Sequence, residues 1–241
     1  MTVFLVLPAF NEEGNLALVL DACARAIEST GRLLRVVLVD DGSTDGTAMI
    51  AKAWSSRLPL DLIVHEVNQG LGTTIHDGLK RAAELAEPGD AIVTMDADNT
   101  QPASLIPRML EAIETGNDLV IASRFRPGAQ VVGLSTFRRG LTIVSSLLYR
   151  TILPIPGVRD YTCGFRIYRA SLLKKAFSVY NGRFVTETGF ACMAEILVKM
   201  RPLAPVVHEV PMILRYDLKK GASKMPVAGT VRRSLNLLLR G

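Results

Sequence analysis

The run Val36-Val-Leu-Val-Asp-Asp-Gly-Ser-Thr-Asp-Gly46 is a strand, a stop and a helix start in eleven residues. Four apolar residues, three of them β-branched, read as a buried strand, and two adjacent carboxylates end it. The remainder has turn composition, with Ser43 or Asp45 placed to cap a helix through Trp54. The same unit recurs on both sides: Val3–Leu7, Leu62–Val64, Ala91–Met95 and Leu119–Ala122 read as further buried strands. Leu16, Leu20, Cys23 and Ile27 share one helical face, with Asn11 and Asn15 placed to start that helix. Gly72–Leu85 reads as another helix, and Pro102 stands at the first position of a fourth. Strands alternating with helices imply an α/β fold whose mostly parallel central sheet is covered by helices.

In open sheets of this kind, ligands bind beyond the carboxyl ends of the strands. Those ends are unusually polar here. Asp96-Ala97-Asp98 follows the fourth strand, and carboxylates two residues apart can face one side and share a hard cation such as Mg²⁺ or Mn²⁺. A solvated turn is the plain alternative for this tripeptide taken alone. Of Asp40 and Asp41, one can face the crevice and accept hydrogen bonds from a nucleobase or ribose. Gly70-Leu71-Gly72 invites a dinucleotide reading, but that fingerprint needs glycine where Ile75 stands, and these glycines follow the third strand, not the first. A tight turn that lets backbone approach a ligand is the better account.

With 241 residues, 49% hydrophobic and 21% charged, residues 1–241 fit a single domain with a full core, which excludes disorder, collagen and coiled coil. Cys23, Cys163 and Cys192 form no CxxC pair, so neither a disulfide framework nor a zinc site is suggested, and a reducing, cytoplasmic compartment is expected. The N-terminal apolar run lacks a basic leader and ends at Pro8, which reads as a first strand and not a signal peptide. No stretch approaches the roughly 18 apolar residues of a membrane span. The net charge of +5 hides an asymmetry: residues 1–123 hold eight basic and 18 acidic residues, a net of −10, so residues 124–241 carry +15. Such an asymmetry signals two different electrostatic tasks, and the second half suits an anionic partner. In that second half Phe137–Ile152 carries Leu141, Val144, Leu148 and Ile152 at helical spacing between arginines, Glu187–Met200 reads as a helix, and Pro226–Arg240 carries the stripe Val227, Val231, Leu235, Leu239. The first and last of these suit helices lying in a membrane interface, or equally core or dimer-contact helices.

In order, Pro8-Ala-Phe-Asn-Glu-Glu, Val39-Asp-Asp-Gly-Ser-Thr-Asp-Gly-Thr, Asn68-Gln-Gly-Leu-Gly, Met95-Asp-Ala-Asp and Ala122-Ser-Arg-Phe resemble family 2 glycosyltransferases of the GT-A fold, a Rossmann-like nucleotide-diphospho-sugar transferase. More narrowly the chain resembles dolichol-phosphate or polyprenyl-phosphate mannosyltransferases, through Asp160-Tyr-Thr-Cys-Gly-Phe-Arg-Ile-Tyr-Arg and Gly221-Ala-Ser-Lys224. The resemblance implies a nucleotide-sugar pocket of Pro8, Phe10, Glu12, Val39, Asp41 and Ala97. It also implies a metal and diphosphate site at Asp96 and Asp98, phosphate contacts from Arg124, Arg215 and Lys224, and a catalytic pair in Asp98 and Arg124. Two departures stand out. The family often has Gln two residues after the second metal Asp, where this chain has Thr100 with Gln101 one further on, so either could be the third ligand. The segment between Arg215 and Lys224 is also longer than usual.

The reaction so implied is a metal-dependent, inverting transfer of a hexose, mannose from GDP-mannose being favoured, to polyprenyl phosphate at the cytoplasmic membrane face, with or without a separate membrane subunit. An acceptor phosphate is already ionised and needs no general base, which accounts for the lack of an evident catalytic histidine; His65, His76 and His208 read as structural. Ser123, Arg126 and Arg166 are candidates to hold that phosphate. Arg169 reads as a surface arginine. The alternatives are a UDP-sugar donor, a soluble acceptor, and a non-catalytic protein that binds nucleotide-sugar or anionic lipid. Nucleic acid is disfavoured by an aromatic content of 6% and the lack of a binding module.

Overall fold

The computed structural model describes residues 1–220 and 227–240. Its centre is a seven-stranded sheet in the order β3-β2-β1-β4-β7-β5-β8. These strands are β1 (Thr2–Ala9), β2 (Leu33–Asp40), β3 (Leu60–Val64), β4 (Ala91–Thr94), β5 (Leu119–Ser123), β7 (Arg166–Arg169) and β8 (Val207–Pro211). All pairings are parallel except those of β7, which runs antiparallel between β4 and β5. The residues Val3–Leu7 are almost wholly buried, as expected of a central strand covered on both faces. A small parallel pair joins β6 (Gln130–Val132) and β9 (Ile213–Arg215).

Helices α1 (Leu16–Glu28), α2 (Thr47–Trp54), α3 (Leu71–Leu85) and α4 (Ile106–Glu114) cover the first half of the sheet, and α5 (Thr136–Ile152), α6 (Ala170–Tyr180), α7 (Cys192–Met200) and α8 (Val227–Arg240) belong to the second. The expected face of α1 is buried at Leu16, Leu20, Cys23 and Ile27. Its start differs from expectation. Asn15 makes no side-chain cap; its amide donates to Glu12 Oε2 at 2.7 Å and to the Lys220 carbonyl at 3.1 Å, tying the loop after β1 to the late chain. At α2 the backbone N–H of Thr47 donates to Asp45 Oδ1 at 2.9 Å, so Asp45 organises the start, whereas Ser43 Oγ accepts from the Asn11 N–H at 2.8 Å and links two loops. Pro102 precedes a 3₁₀ turn at Ala103–Leu105, and it is Pro107 that occupies the first turn of α4.

Two elements depart further. The helix expected over 187–200 begins only at Cys192, because residues 187–188 run as backbone against the start of α3. The β7 strand, carried by the second half, inserts into the sheet of the first, so the two halves share one sheet.

Register sets the site. Ala9 pairs with Asp40, so β1 and β2 end level, whereas β4 ends at Thr94 opposite Val6; the loops after all three emerge at one edge, where the strand order turns about β1.

Candidate active site

These loops floor a cavity of about 620 Å³. Pro8, Phe10 and Glu12 come from β1, Asp41 from β2, Asp96, Ala97, Asp98, Thr100 and Gln101 from β4, and Arg124 from β5. The other wall is less polar: Leu141, Val144 and Leu148 of α5 face Ser234, Leu235 and Leu238 of α8. One cavity thus joins a carboxylate floor to an apolar wall.

The carboxylates are held in defined poses. Gln101 brackets Asp96, its Nε2 donating to Oδ2 at 2.7 Å while its Oε1 accepts from the Asp96 N–H at 3.0 Å. Thr100 donates through its N–H and its hydroxyl to Asp98 Oδ1, at 3.1 and 2.7 Å. Asp98 Oδ2 meets the Lys219 ammonium at 2.7 Å. Burial, and then the neighbouring charge of Asp98, push the Asp96 carboxyl up to about 7, with Lys219 pulling the other way. Two carboxylates this close favour added positive charge. Thr100 and Gln101, the alternatives for a third ligand, both buttress the aspartates.

Arg124 is anchored from behind. Its Nε and Nη2 form a two-pronged pair with Asp160 at 2.8 and 2.6 Å, and Nη2 also donates to Thr162 Oγ1 at 2.6 Å. Burial disfavours the guanidinium charge, but the Asp160 carboxylate outweighs that and raises the arginine's pKa. None of these bonds uses Nη1, and Arg124 lines the cavity.

The model for the family described as "Glycosyl transferase family 2" matches residues 4–177. The chain belongs to glycosyl transferase family 2. Among relatives, this glycosyltransferase is 32% identical over 200 residues to a dolichol-phosphate mannosyltransferase of Pyrococcus furiosus, across 83% of this chain and 53% of that protein. It is 30% identical over 226 residues to an undecaprenyl-phosphate mannosyltransferase of Micrococcus luteus, across 93% and 88%. A third similar protein is an undecaprenyl-phosphate 4-deoxy-4-formamido-L-arabinose transferase of Edwardsiella ictaluri, at 32% identity across 71% and 50%. The chain therefore spans about half the length of two of these three. In structure it resembles glucosyl-3-phosphoglycerate synthase of Mycobacterium tuberculosis crystallised with Mn²⁺ and UDP, with a TM-score of 0.69 at 20% identity, covering 99% of this chain and 79% of that one. The GT-A fold is thereby shown.

Several expected site residues of the glycosyltransferase lie elsewhere. Val39 is in the core and Ser123 is wholly buried, its Oγ accepting from the Phe125 N–H at 3.2 Å. Arg166 is fully buried, its guanidinium donating to the carbonyls of Met193 and Tyr161 at 2.8 and 2.9 Å, so it braces the core and cannot reach an acceptor. Arg126 pairs with the buried Glu209 at 3.2 Å and does not line the cavity. Arg215 turns away to Asp217 and lines a separate cavity beside α1. Arg169 donates to the carbonyls of Ile113 and Asn117, a structural role. Lys224 lies outside the described residues.

Gly70 and Gly72 serve the protein's own backbone. A Cβ on Gly72 would stand 1.6 Å from the Glu187 carbonyl oxygen, and the Gly72 N–H donates to the Thr188 carbonyl at 2.8 Å. The cavity also recruits cations that the motifs did not single out: Lys219, Arg138 of α5, and Arg233 of α8, which donates to Thr188 Oγ1 at 2.7 Å. The signal for Lys219 was the lengthened basic segment between Arg215 and Lys224.

Proposed function

We propose that this glycosyltransferase moves a hexose, mannose from GDP-mannose, onto polyprenyl phosphate, with inversion and with a divalent metal. The observation that carries the reading is the single cavity joining Asp96, Asp98, Arg124 and Lys219 to the apolar sides of α5 and α8. A charged donor fits the first end and a lipid phosphate the second. The names of the two mannosyltransferase relatives support this choice.

Among the described residues no three His, Cys, Asp or Glu side chains gather to hold a metal alone. A buried and a half-buried carboxylate, Asp98 and Asp96, with an ammonium on the first, nevertheless fit a hard cation that completes its shell with phosphate oxygens. Asp96 and Asp98 would hold it, Gln101 and Thr100 keeping them in place. When bound, such an ion supplies charge neutralisation for the departing diphosphate. Lys219 and the free edge of Arg124 face the same developing charge. An acceptor phosphate oxygen donates its electron pair to the anomeric carbon as the bond to the diphosphate oxygen breaks, and that oxygen keeps the bonding pair. Attack opposite the leaving group inverts the centre. The acceptor arrives ionised, so no proton need be removed.

No helix of the described residues is long and apolar enough to cross a membrane. We place the enzyme at the membrane surface, on the cytoplasmic face, where three free, buried cysteines suit a reducing compartment. A separate membrane subunit forms no part of the reading.

Asp98→Asn is expected to lower transfer by about 10²-fold or more with Mn²⁺ or Mg²⁺ present, while the protein stays folded; transfer near the wild-type rate overturns the metal assignment. In a thermal-shift panel GDP-mannose with Mn²⁺ is expected to raise Tm. A rise with UDP-sugars alone overturns the choice of donor.

A further inference from the structure

Asp41 lines the cavity with most of its hydrogen-bonding capacity already used. Its Oδ1 stands 2.8 Å from His65 Nδ1 and accepts from the Gln69 N–H at 2.8 Å, and its Oδ2 accepts from the Gly70 N–H at 2.9 Å. A carboxylate offers about four acceptor positions. The one left over is on Oδ2. His65, buried at the end of β3, is itself fixed from the far side, its Nε2 lying 3.1 Å from Asp77 Oδ2 on α3. Asp77 reaches the preceding residue too, with His76 Nδ1 2.9 Å from its Oδ1. Both ring nitrogens of His65 thus face carboxylate oxygens, and the imidazole cannot turn without losing a contact.

We propose that His65 and Asp77 are positioning residues for nucleotide recognition: the chain Asp77–His65–Asp41 locks the Asp41 carboxylate so that it offers a single acceptor, on Oδ2, to one donor group of the nucleoside. This rests on the reading of the cavity as a nucleotide-sugar site. A ribose hydroxyl or a single ring N–H satisfies such an acceptor. The paired N–H edge of guanine takes both oxygens of a carboxylate, so with the guanine nucleotide proposed above the group that meets Asp41 is a ribose hydroxyl. Neither His65 nor Asp77 lines the cavity; they act through Asp41. The Asn68-Gln69-Gly70 loop is held by the same carboxylate, so Asp41 also ties the cavity rim to β2.

The test measures the Kd for GDP, with UDP in parallel, in the presence of Mn²⁺, together with kcat and KM for the donor. Losing a hydrogen bond to a charged group from a buried site raises Kd by about tenfold. His65→Ala is expected to raise Kd and donor KM by that factor with kcat within about twofold. His65→Asn, whose amide nitrogen falls near the Nδ1 position, is expected to restore most of the affinity. Asp77→Ala, at a partly exposed side chain, is expected to fall between. In an Asp41→Ala background the His65 substitution should have no further effect, which a purely structural role would not produce. Unchanged Kd in folded Asp77→Ala overturns the proposal whatever the His65 variants do, as does failure of His65→Asn to improve on His65→Ala. If wild type binds neither nucleotide, the nucleotide-site reading fails and takes the proposal with it; wild-type binding with an unaffected Asp77→Ala removes the proposal alone.

Discussion

Arg124 owes its pose to Asp160, a fully buried carboxylate. Burial alone would raise the pKa of Asp160, but the Arg124 charge and the hydrogen bonds from Arg124 and the Thr162 N–H outweigh it and hold it below the usual carboxylate range. A group whose pKa is lowered on folding stabilises the native state above its unfolded pKa, and that contribution is lost as the pH falls through the folded value. Asp160→Asn should therefore destabilise the protein by about 3–5 kcal/mol at pH 7, the usual cost of stranding one partner of a buried pair. Denaturant titrations should show the gap to wild type closing as the pH is lowered below the carboxylate range; a gap independent of pH would show that the Asp160 charge contributes nothing. Asp41, Asp96 and Asp98 are legible in the sequence because each follows an apolar run, where ligands of a parallel sheet collect. Arg166 and Ser123 are not, because a motif carries no sign of which way a side chain points, and a buried arginine is rare enough that exposure is the natural expectation. Gly70 and Gly72 show a related limit: the need for a missing Cβ is visible, but the backbone that needs the space lies more than a hundred residues away.

The first five strands of the element pattern are readable because buried parallel strands leave long β-branched runs. β7 is a four-residue strand containing two arginines, and only its pairing with β4 and β5 makes it a strand. α5 is readable as an amphipathic helix, but its stripe is divided: Leu148 is partly covered and Tyr149 is fully buried against Tyr161, while Ile143, Val144, Leu147 and Ile152 are at least half exposed. Ile143 and Leu147 lie one turn apart and form one apolar step on the outside of the helix. If that face enters a lipid interface, each half-exposed side chain contributes half of the ~1.5–3 kcal/mol of full burial. Ile143→Ser with Leu147→Ser should then cut partition onto anionic vesicles by at least about tenfold, with nucleotide affinity unchanged. Co-sedimentation reads the first quantity and calorimetry the second; equal vesicle binding by the double variant would assign this face to something other than membrane.

Across the whole molecule the charge split has a structural counterpart. Residues 124–241 contain five acidic side chains, and four of them are taken up: Asp160 by Arg124, Glu209 by Arg126, Glu195 by Lys199 and Asp217 by Arg215. Among the described residues no ion pair is left for Arg138, Arg139 and Arg150 of α5, so the flanks of the apolar face carry uncompensated charge. Such charge acts at a distance on an anionic surface and is screened by salt, whereas Lys219 and Asp98 meet at 2.7 Å inside the cavity, where ions penetrate poorly. Raising salt from about 0.1 to 1 M shortens the screening length from about 10 to 3 Å. Transfer to polyprenyl phosphate in anionic vesicles should therefore fall steeply over that range, while donor affinity, read by calorimetry on the same protein, declines far less. Parallel slopes would mean that the basic half does not bring the enzyme to its acceptor. A steep slope that persists in neutral vesicles would place the dependence on the acceptor's own phosphate and so on the cations at the cavity, Arg124, Arg138, Lys219 and Arg233.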